Sequence, residues 1–238
     1  MLRMAQEFEG DLRDAVFWGV DLTGATIRYA NMTDATITGA LLVNVKVDAM
    51  VDRLVINGVD VTEFVNERDE WYPLRAQIRS ADPDGMRAAW AALDATWAAT
   101  IERAQRLTDA QRRESVNGEW SFVQTLRHLV FAIDKWFTVP ILGEGFAPIG
   151  MPNTGSIDFG WPGLDFAADP TLDEVLAVRA DRAEKFRRYL EQLTASDLDR
   201  VVDVLENGPN PIKECVFTVF EEEFDHNRYA VRDLASFD

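Results

Sequence analysis

The first pattern along the chain is a five-residue recurrence of bulky apolar side chains near the N-terminus. A small or compact residue stands two positions before each of them, as Ala15 does before Phe17. This period fits neither the 3.6-residue turn of a helix nor the two-residue alternation of a strand. It predicts a square-sectioned right-handed β-helix, each side of the square being one repeat. The bulky positions are Leu12, Phe17, Leu22, Ile27, Met32, Ile37, Leu42 and Val47.

The same segment resembles pentapeptide-repeat proteins, most clearly in residues 20–24 (VDLTG) and 30–34 (ANMTD). The resemblance covers about residues 8–47 and implies two coils, too few for a free-standing solenoid because terminal repeats need capping. Long members of that family mimic DNA and bind topoisomerases. Two coils offer little surface for that role, so a packing appendage is the favoured interpretation.

After residue 67 the apolar positions recur at helical spacing in four long segments. Asp82 followed by Pro83 predicts the start of the first helix, because aspartate caps a helix and proline suits its first position. The second helix is predicted from Ser121 to about Leu142. A capping box opens the third at Thr171, which runs to about Leu193, and the fourth spans about Ile212 to Leu234.

Shorter elements and connections complete the expected organisation. Residues 48–65 predict a turn and a short strand, and residues 67–79 predict a shorter helix. Four amphipathic helices with polar connections predict a mainly α fold, an antiparallel four-helix bundle. The chain is therefore divided into a β-helical appendage, residues 1–66, and a helical domain, residues 67–238. The long irregular loop 143–170 is expected to be functional.

Composition narrows the classes of function. The formal charge of −17 argues against binding nucleic acid or anionic membranes, which need a basic face. No apolar stretch approaches the roughly 20 residues that span a bilayer, and the N-terminus shows no secretory signal. The single cysteine, Cys215, excludes an intramolecular disulfide and suits a reducing compartment, so a cytoplasmic location is expected.

The two histidines of the chain lie where a metal site would need them. His128 falls in the second predicted helix, and His226 in the fourth. Glu222 stands four residues before His226, so the two side chains share one helix face. Two imidazoles and one carboxylate form a ligand set with open coordination positions, which is typical of catalytic rather than structural zinc. Zinc is the first choice of metal, and nickel, iron and manganese stay open.

At these positions the sequence resembles the DinB-like superfamily of metal-binding four-helix bundles. The motifs that carry the resemblance are residues 119–129 (EWSFVQTLRHL) and 222–234 (EEFDHNRYAVRDL), and it covers about residues 68–238. Many members have three histidines, whereas Glu222 takes one of those positions here. The mycothiol-dependent isomerase and thiol-transferase branch is similar in using His, Glu and His. The resemblance thus implies His128, Glu222 and His226 as metal ligands.

The resemblance implies a zinc-dependent thiol S-transferase, with a small-molecule thiol and an electrophile as its partners. The isomerases carry a further C-terminal domain that is expected to be missing here, which favours the simpler transferases. The thiol is mycothiol, bacillithiol or glutathione, and the residues do not distinguish them. The alternative is a non-catalytic binding or interaction protein, with or without a structural metal. Related bundles often pair, so a homodimer also stays open.

Residues beside the predicted ligands have simpler interpretations. Glu221 and Glu223 are expected to be solvated, and Cys215 is expected to be a small core residue. Ser121 is expected to cap its helix. The arginines 228 and 232 are expected to pair with acidic residues one turn away. Aromatic residues of the loop are expected to form an apolar lid over the electrophile: Phe146, Met151, Phe159, Trp161 and Phe166.

Overall fold

The structure is a computed structural model that describes residues 8, 10–27, 30–153 and 159–237. The chain divides into two compact units, Met1–Asp48 and Ala49–Asp238. Most of the second unit is helical. None of the helices in the described residues combines the length and the apolar character that crossing a membrane requires.

The first unit is a series of turns that recur every ten residues. The backbone N–H of Ala15 donates to the carbonyl of Leu12 at 3.0 Å, and the same bond recurs ten and twenty residues later, at Ala25 and Ala35. Asp21 accepts a hydrogen bond from the backbone N–H of Thr23, so side chains also stabilise the turns. Within the described part of this unit no strand is assigned. The bulky repeat positions stay between 49% and 73% exposed.

The second unit begins with a hairpin and two short helices. Strands β1 (Val55–Ile56) and β2 (Val59–Asp60) pair antiparallel across Asn57 and Gly58, whose φ angles are both positive, as a tight hairpin turn requires. Helices α1 (Thr62–Asn66) and α2 (Tyr72–Gln77) follow.

The helix predicted for residues 67–79 is confirmed over the shorter range Tyr72–Gln77, and residues 67–71 are not helical. The chain turns instead between α1 and α2, where Asp69 accepts a hydrogen bond from the backbone N–H of Trp71 at 3.0 Å. Pro73 then stands in the first turn of α2, the place in a helix that tolerates proline.

The long helices begin at the predicted caps. Helix α3 (Pro83–Gln105) starts after Asp82, whose carboxylate accepts from the backbone N–H of Gly85, and a short α4 (Asp109–Arg112) follows. Helix α5 (Phe122–Ile133) starts after Ser121. Capping boxes fix the starts of α4, α5 and α6 (Leu172–Gln192).

The second long helix changes its winding near its middle. Helix α5 continues directly into a π-helix, Asp134–Leu142, that contains Pro140 and ends at Gly143 with φ of 71°. A proline lacks the N–H of an α-helical bond and crowds the preceding turn, so the wider winding accommodates it.

The last connection contains a hairpin that the sequence pattern did not predict. Strand β3 (Val201–Asp203) pairs antiparallel with β4 (Pro209–Pro211), and helix α7 (Ile212–Leu234) starts at the next residue. The hairpin therefore sets the point at which the final helix begins.

The four long helices pack on one another around an apolar interior. Helix α3 contacts α6 and α7, and α5 also contacts both. One buried cluster contains Trp90, Phe137, Phe186 and Phe220, and a second contains Trp97 and its neighbours from α5, α6 and α7. The pairwise contacts bring α5 and α7, which carry the two histidines, side by side.

A buried carboxylate links the π-helix to the loop and to α6. Asp134 is fully buried and accepts hydrogen bonds from the backbone N–H of Ala147 and from Nε of Arg182, both at 2.7 Å. Because the charge of Asp134 is paired and its oxygens are hydrogen-bonded, its burial is tolerated.

Replacing this carboxylate tests its role. Asp134→Ala should lower the free energy of unfolding by about 3 kcal/mol, because it leaves the mostly buried Arg182 and a loop N–H without their partner. Asp181 also pairs with Arg182 but is 51% exposed, so Asp181→Ala should cost less than about 1 kcal/mol. Urea denaturation measures the unfolding free energy of both variants. Equal losses would contradict the conclusion that Asp134 is the main partner of Arg182.

Candidate metal centre

Two neighbouring helices deliver the three predicted ligands to one place. His128 lies in α5, and Glu222 and His226 lie one turn apart in α7. The nitrogen and oxygen atoms that they offer all lie within 4.8 Å of one another. His128 Nε2 is 3.2 Å from Glu222 Oε2, and the two imidazole ring centres are 4.9 Å apart. The structure therefore brings together the residues that the sequence paired.

Backbone carbonyls fix the orientation of both imidazoles. The carbonyl of Met151 lies 3.0 Å from His128 Nδ1, and the carbonyl of Glu222 lies 2.9 Å from His226 Nδ1. A carbonyl only accepts, so each Nδ1 carries the proton and donates it. A neutral ring held in this way keeps the lone pair of Nε2, the form in which a histidine binds a metal. His226 Nδ1 also lies 3.4 Å from Glu222 Oε2.

Burial and charge keep the centre in its ligating form. Burial lowers the pKa of His226 to about 4, so this imidazole is neutral at pH 7. Burial alone would raise the pKa of the Glu222 carboxyl, but its interactions with His128, His226 and Lys135 hold it below its usual value. The centre thus presents the neutral imidazole of His226 and the carboxylate of Glu222.

This donor set fits a small divalent ion. Metal–ligand bonds of about 2.0–2.1 Å in a tetrahedral arrangement separate the ligand atoms by about 3.3 Å. The 3.2 Å between His128 Nε2 and Glu222 Oε2 matches that separation, and the limit of 4.8 Å for the whole set leaves only a small side-chain adjustment. The second hydrogen bond of each ring is already made, as ligating histidines require.

Aromatic rings surround the centre. The ring of Trp120 lies 4.6 Å from that of His128 and stacks on His226 at 6.0 Å. Phe131 lies 6.1 Å from His128, and Tyr229 meets His226 edge-on at the same distance. These rings exclude water from the histidines and restrict how they rotate.

The loop after the π-helix is tied to α5 at the point where it meets the site. Arg127 donates from Nε to the carbonyl of Ile149 at 2.9 Å, and the backbone N–H of Met151 donates to the carbonyl of Arg127 at 3.1 Å. These bonds hold the Met151 carbonyl in place against His128. The loop therefore sets the tautomer of one of the candidate ligands.

The predicted lid residues divide into two groups. Phe146 and Trp161 are buried and pack with Phe131 beside His128. Phe159 and Phe166 are exposed. Residues 154–158 of the loop lie outside the described residues.

One neighbouring residue corrects the sequence interpretation. Glu223 was expected to be solvated, but only 2% of it is exposed, and both its oxygens accept hydrogen bonds from Arg179 of α6. The expectation failed because the arginine that compensates the charge comes from a different helix. Glu221 is partly exposed and pairs with Arg79 at 2.6 Å.

The remaining predicted neighbours have structural roles. Cys215 is buried, and burial raises the pKa of its thiol to about 11, so it stays protonated. Ser121 caps α5, as expected. Arg228 lies 3.7 Å from Asp225, one turn before it, whereas Arg232 reaches Glu119 outside its own helix.

Sequence reasoning missed two contributors to the site. Trp120 precedes the first turn of α5, so no helical spacing relates it to His128. Met151 contributes a backbone carbonyl from an irregular loop, and the type of residue at that position does not indicate this role.

The lowered pKa of His226 predicts a pH dependence of stability in the metal-free protein. Between its usual value of 6.5 and about 4, the unfolded chain binds a proton that the folded chain does not. The resulting stability is present above about pH 6.5 and decreases toward pH 4, by about 3 kcal/mol for a shift of this size. Urea denaturation should show wild type losing this amount relative to His226→Gln. If the difference in unfolding free energy between wild type and His226→Gln does not change with pH, the lowered pKa of His226 is contradicted.

Comparison with known proteins agrees with the resemblance to the DinB-like superfamily and with the repeats. The DinB superfamily model matches residues 92–230, which include all three candidate ligands. The pentapeptide-repeat model matches residues 11–42 in eight copies. Neither the curated proteins nor the solved structures give a significant match. Because the first model spans more than half of the 238 residues, the chain belongs to the DinB superfamily and carries an N-terminal pentapeptide-repeat segment.

Proposed function

We propose that His128, Glu222 and His226 bind one divalent metal ion. The observation that carries this proposal is the convergence of their ligand atoms within 4.8 Å, with both Nδ1 protons donated to carbonyls. Zinc is the first choice because two imidazoles and one carboxylate are common ligands of catalytic zinc. Nickel, iron and manganese also accept this donor set.

We further propose that the protein transfers a low-molecular-weight thiol, such as mycothiol, to an electrophilic small molecule. A bound zinc ion would supply Lewis-acid chemistry that favours the thiolate form of the thiol. The transfer breaks the S–H bond of the thiol and forms one carbon–sulfur bond. In an addition the π electron pair of the electrophile takes up the proton, and in a substitution the leaving group departs with the electron pair of its broken bond to carbon and takes up the proton. Three protein ligands leave a coordination position open for such chemistry.

The residues around the centre would orient and shield the reactants. The carbonyls of Met151 and Glu222 hold the imidazoles, so the ligand geometry is set before any substrate arrives. Trp120 and Phe131 supply apolar walls, and Phe146 and Trp161 extend the wall at Phe131. An electrophile with an apolar body matches this surface.

A second candidate is a non-catalytic binding or interaction protein, with or without a structural metal. The near-complete burial of His128 favours it, because a ligand with 2% exposure also suits a closed, structural site. In that case the centre would stabilise the contact between α5 and α7 and would turn over no substrate.

The proposal includes a division of the chain into two parts. We propose that a right-handed β-helix of two pentapeptide-repeat coils lies within residues 1–66, and that an antiparallel four-helix bundle lies within residues 67–238. The contacts among α3, α5, α6 and α7 support the bundle, and the ten-residue turn spacing supports the coils. A cytoplasmic protein that binds neither nucleic acid nor membranes completes the proposal, and a homodimer stays open.

Metal analysis tests the centre directly. Untagged protein should bind about one equivalent of zinc at its three ligands. Glu222→Gln should weaken zinc binding more than roughly a hundredfold, since losing a second-shell partner alone costs ten- to a hundredfold. Glu221→Gln, one residue away and paired with Arg79, should bind zinc like wild type. Wild-type protein that fails to bind added zinc would remove both metal hypotheses.

Activity and stability together separate a catalytic from a structural metal. If the site is catalytic, His226→Ala should abolish thiol conjugation to a test electrophile while the protein keeps a cooperative unfolding transition. If the site is structural, the same variant should mainly lower the unfolding temperature. A wild-type protein that conjugates none of mycothiol, bacillithiol and glutathione would contradict the transferase proposal.

A further inference from the structure

A second cavity lies between α3 and α6, away from the candidate metal ligands. Its volume is about 240 Å³, it opens to solvent beside the exposed residues Asp94 and Ala98, and none of His128, Glu222 and His226 lines it. Its walls are mostly apolar: Trp90, Leu93, Trp97 and Leu176. Three charged residues also face it, Asp94, Arg179 and Glu223. An apolar cavity with a few converging charged groups is the usual form of a small-molecule site.

A buried ion pair lies at one side of this cavity. Arg179 donates from Nη1 to Glu223 Oε1 at 3.0 Å and from Nη2 to Oε2. Its guanidinium lies over the ring of Trp97, 4.7 Å from the ring centre. The indole N–H of Trp97 donates to the backbone carbonyl of Glu223 at 3.0 Å. These contacts fix the positions of both charges, so the cavity is preformed.

The charges that face the cavity do not balance. Asp94 and Glu223 carry two negative charges, and Arg179 carries one positive charge. Asp94 is exposed, whereas Glu223 is buried. The cavity therefore has a negative potential that one further cation would neutralise.

We propose that this cavity binds a small organic monocation with an aromatic body, of the class of arylalkyl primary amines. The ammonium group would meet the carboxylate of Asp94, and the ring would contact Trp97 and Leu93. A volume of about 240 Å³ is below the usual range of about 300–1,000 Å³, so one ring with a short chain is the expected size. A site of this kind is independent of the function proposed for the metal centre.

Three probes of one shape test the charge requirement. Phenethylammonium, phenethyl alcohol and hydrocinnamate share a phenyl ring on a short chain but are positive, neutral and negative. Calorimetric titration of the zinc-supplemented full chain should show phenethylammonium binding most tightly and hydrocinnamate most weakly. Equal binding of the three, or tighter binding of the alcohol or the acid, would overturn the proposal.

Matched variants locate the binding. Ala98 lines the cavity and Ala95, also exposed on α3, does not, so Ala98→Leu should abolish binding and Ala95→Leu should preserve it. Asp94→Asn should weaken phenethylammonium binding by roughly threefold to fivefold, the effect of one partly exposed ion pair. Glu102→Gln, further along α3 and outside the cavity, should have no effect.

These variants also exclude binding of the amine at the metal centre. Amine binding there would survive Ala98→Leu and Asp94→Asn, and that outcome would overturn the assignment to the cavity. Both substituted positions are exposed, so the variants are expected to fold, and an unchanged unfolding temperature verifies this.

Discussion

The hydrogen bond from His128 Nδ1 to the Met151 carbonyl is the contact on which the candidate site depends. It places the ring proton on the loop side and leaves Nε2 toward Glu222 on α7. Without it the ring could turn or take its other tautomer, and the three donors would no longer face one point. The bonds from Arg127 and Asp134 to the loop are thus part of the site's architecture, although neither residue faces the centre.

Helix α6 supplies the positive charges that allow carboxylates inside the protein. Arg182 neutralises Asp134 of the π-helix, and Arg179 neutralises Glu223 of α7. Glu223 is next to the candidate ligand Glu222 in α7, but the two have different partners. The guanidinium of Arg179 holds Glu223, whereas Glu222 faces the imidazoles. An isolated carboxylate would be too costly to bury at either place, and each is retained by a specific partner.

The helices and the candidate ligand set could be predicted because local signals indicate them. Capping residues mark the starts of α3, α5 and α6, and the spacing of Glu222 and His226 places two of the candidate ligands on one helix face. The rest depends on distant parts of the chain. The strand at residues 209–211 contains prolines, which usually argue against a strand. The burial of Glu223 requires Arg179 of another helix, and the orientation of His128 requires a carbonyl of the loop. The spacing of residues within one helix predicts neither contact.

X-ray absorption spectroscopy of the zinc-loaded full chain tests the central claim most directly. The account predicts nitrogen and oxygen neighbours at about 2.0–2.1 Å, together with the outer-shell scattering of two imidazole rings. Sulfur at about 2.3 Å would instead indicate Cys215 as a ligand. That result, or a spectrum without imidazole scattering, would contradict a metal centre built from His128, Glu222 and His226.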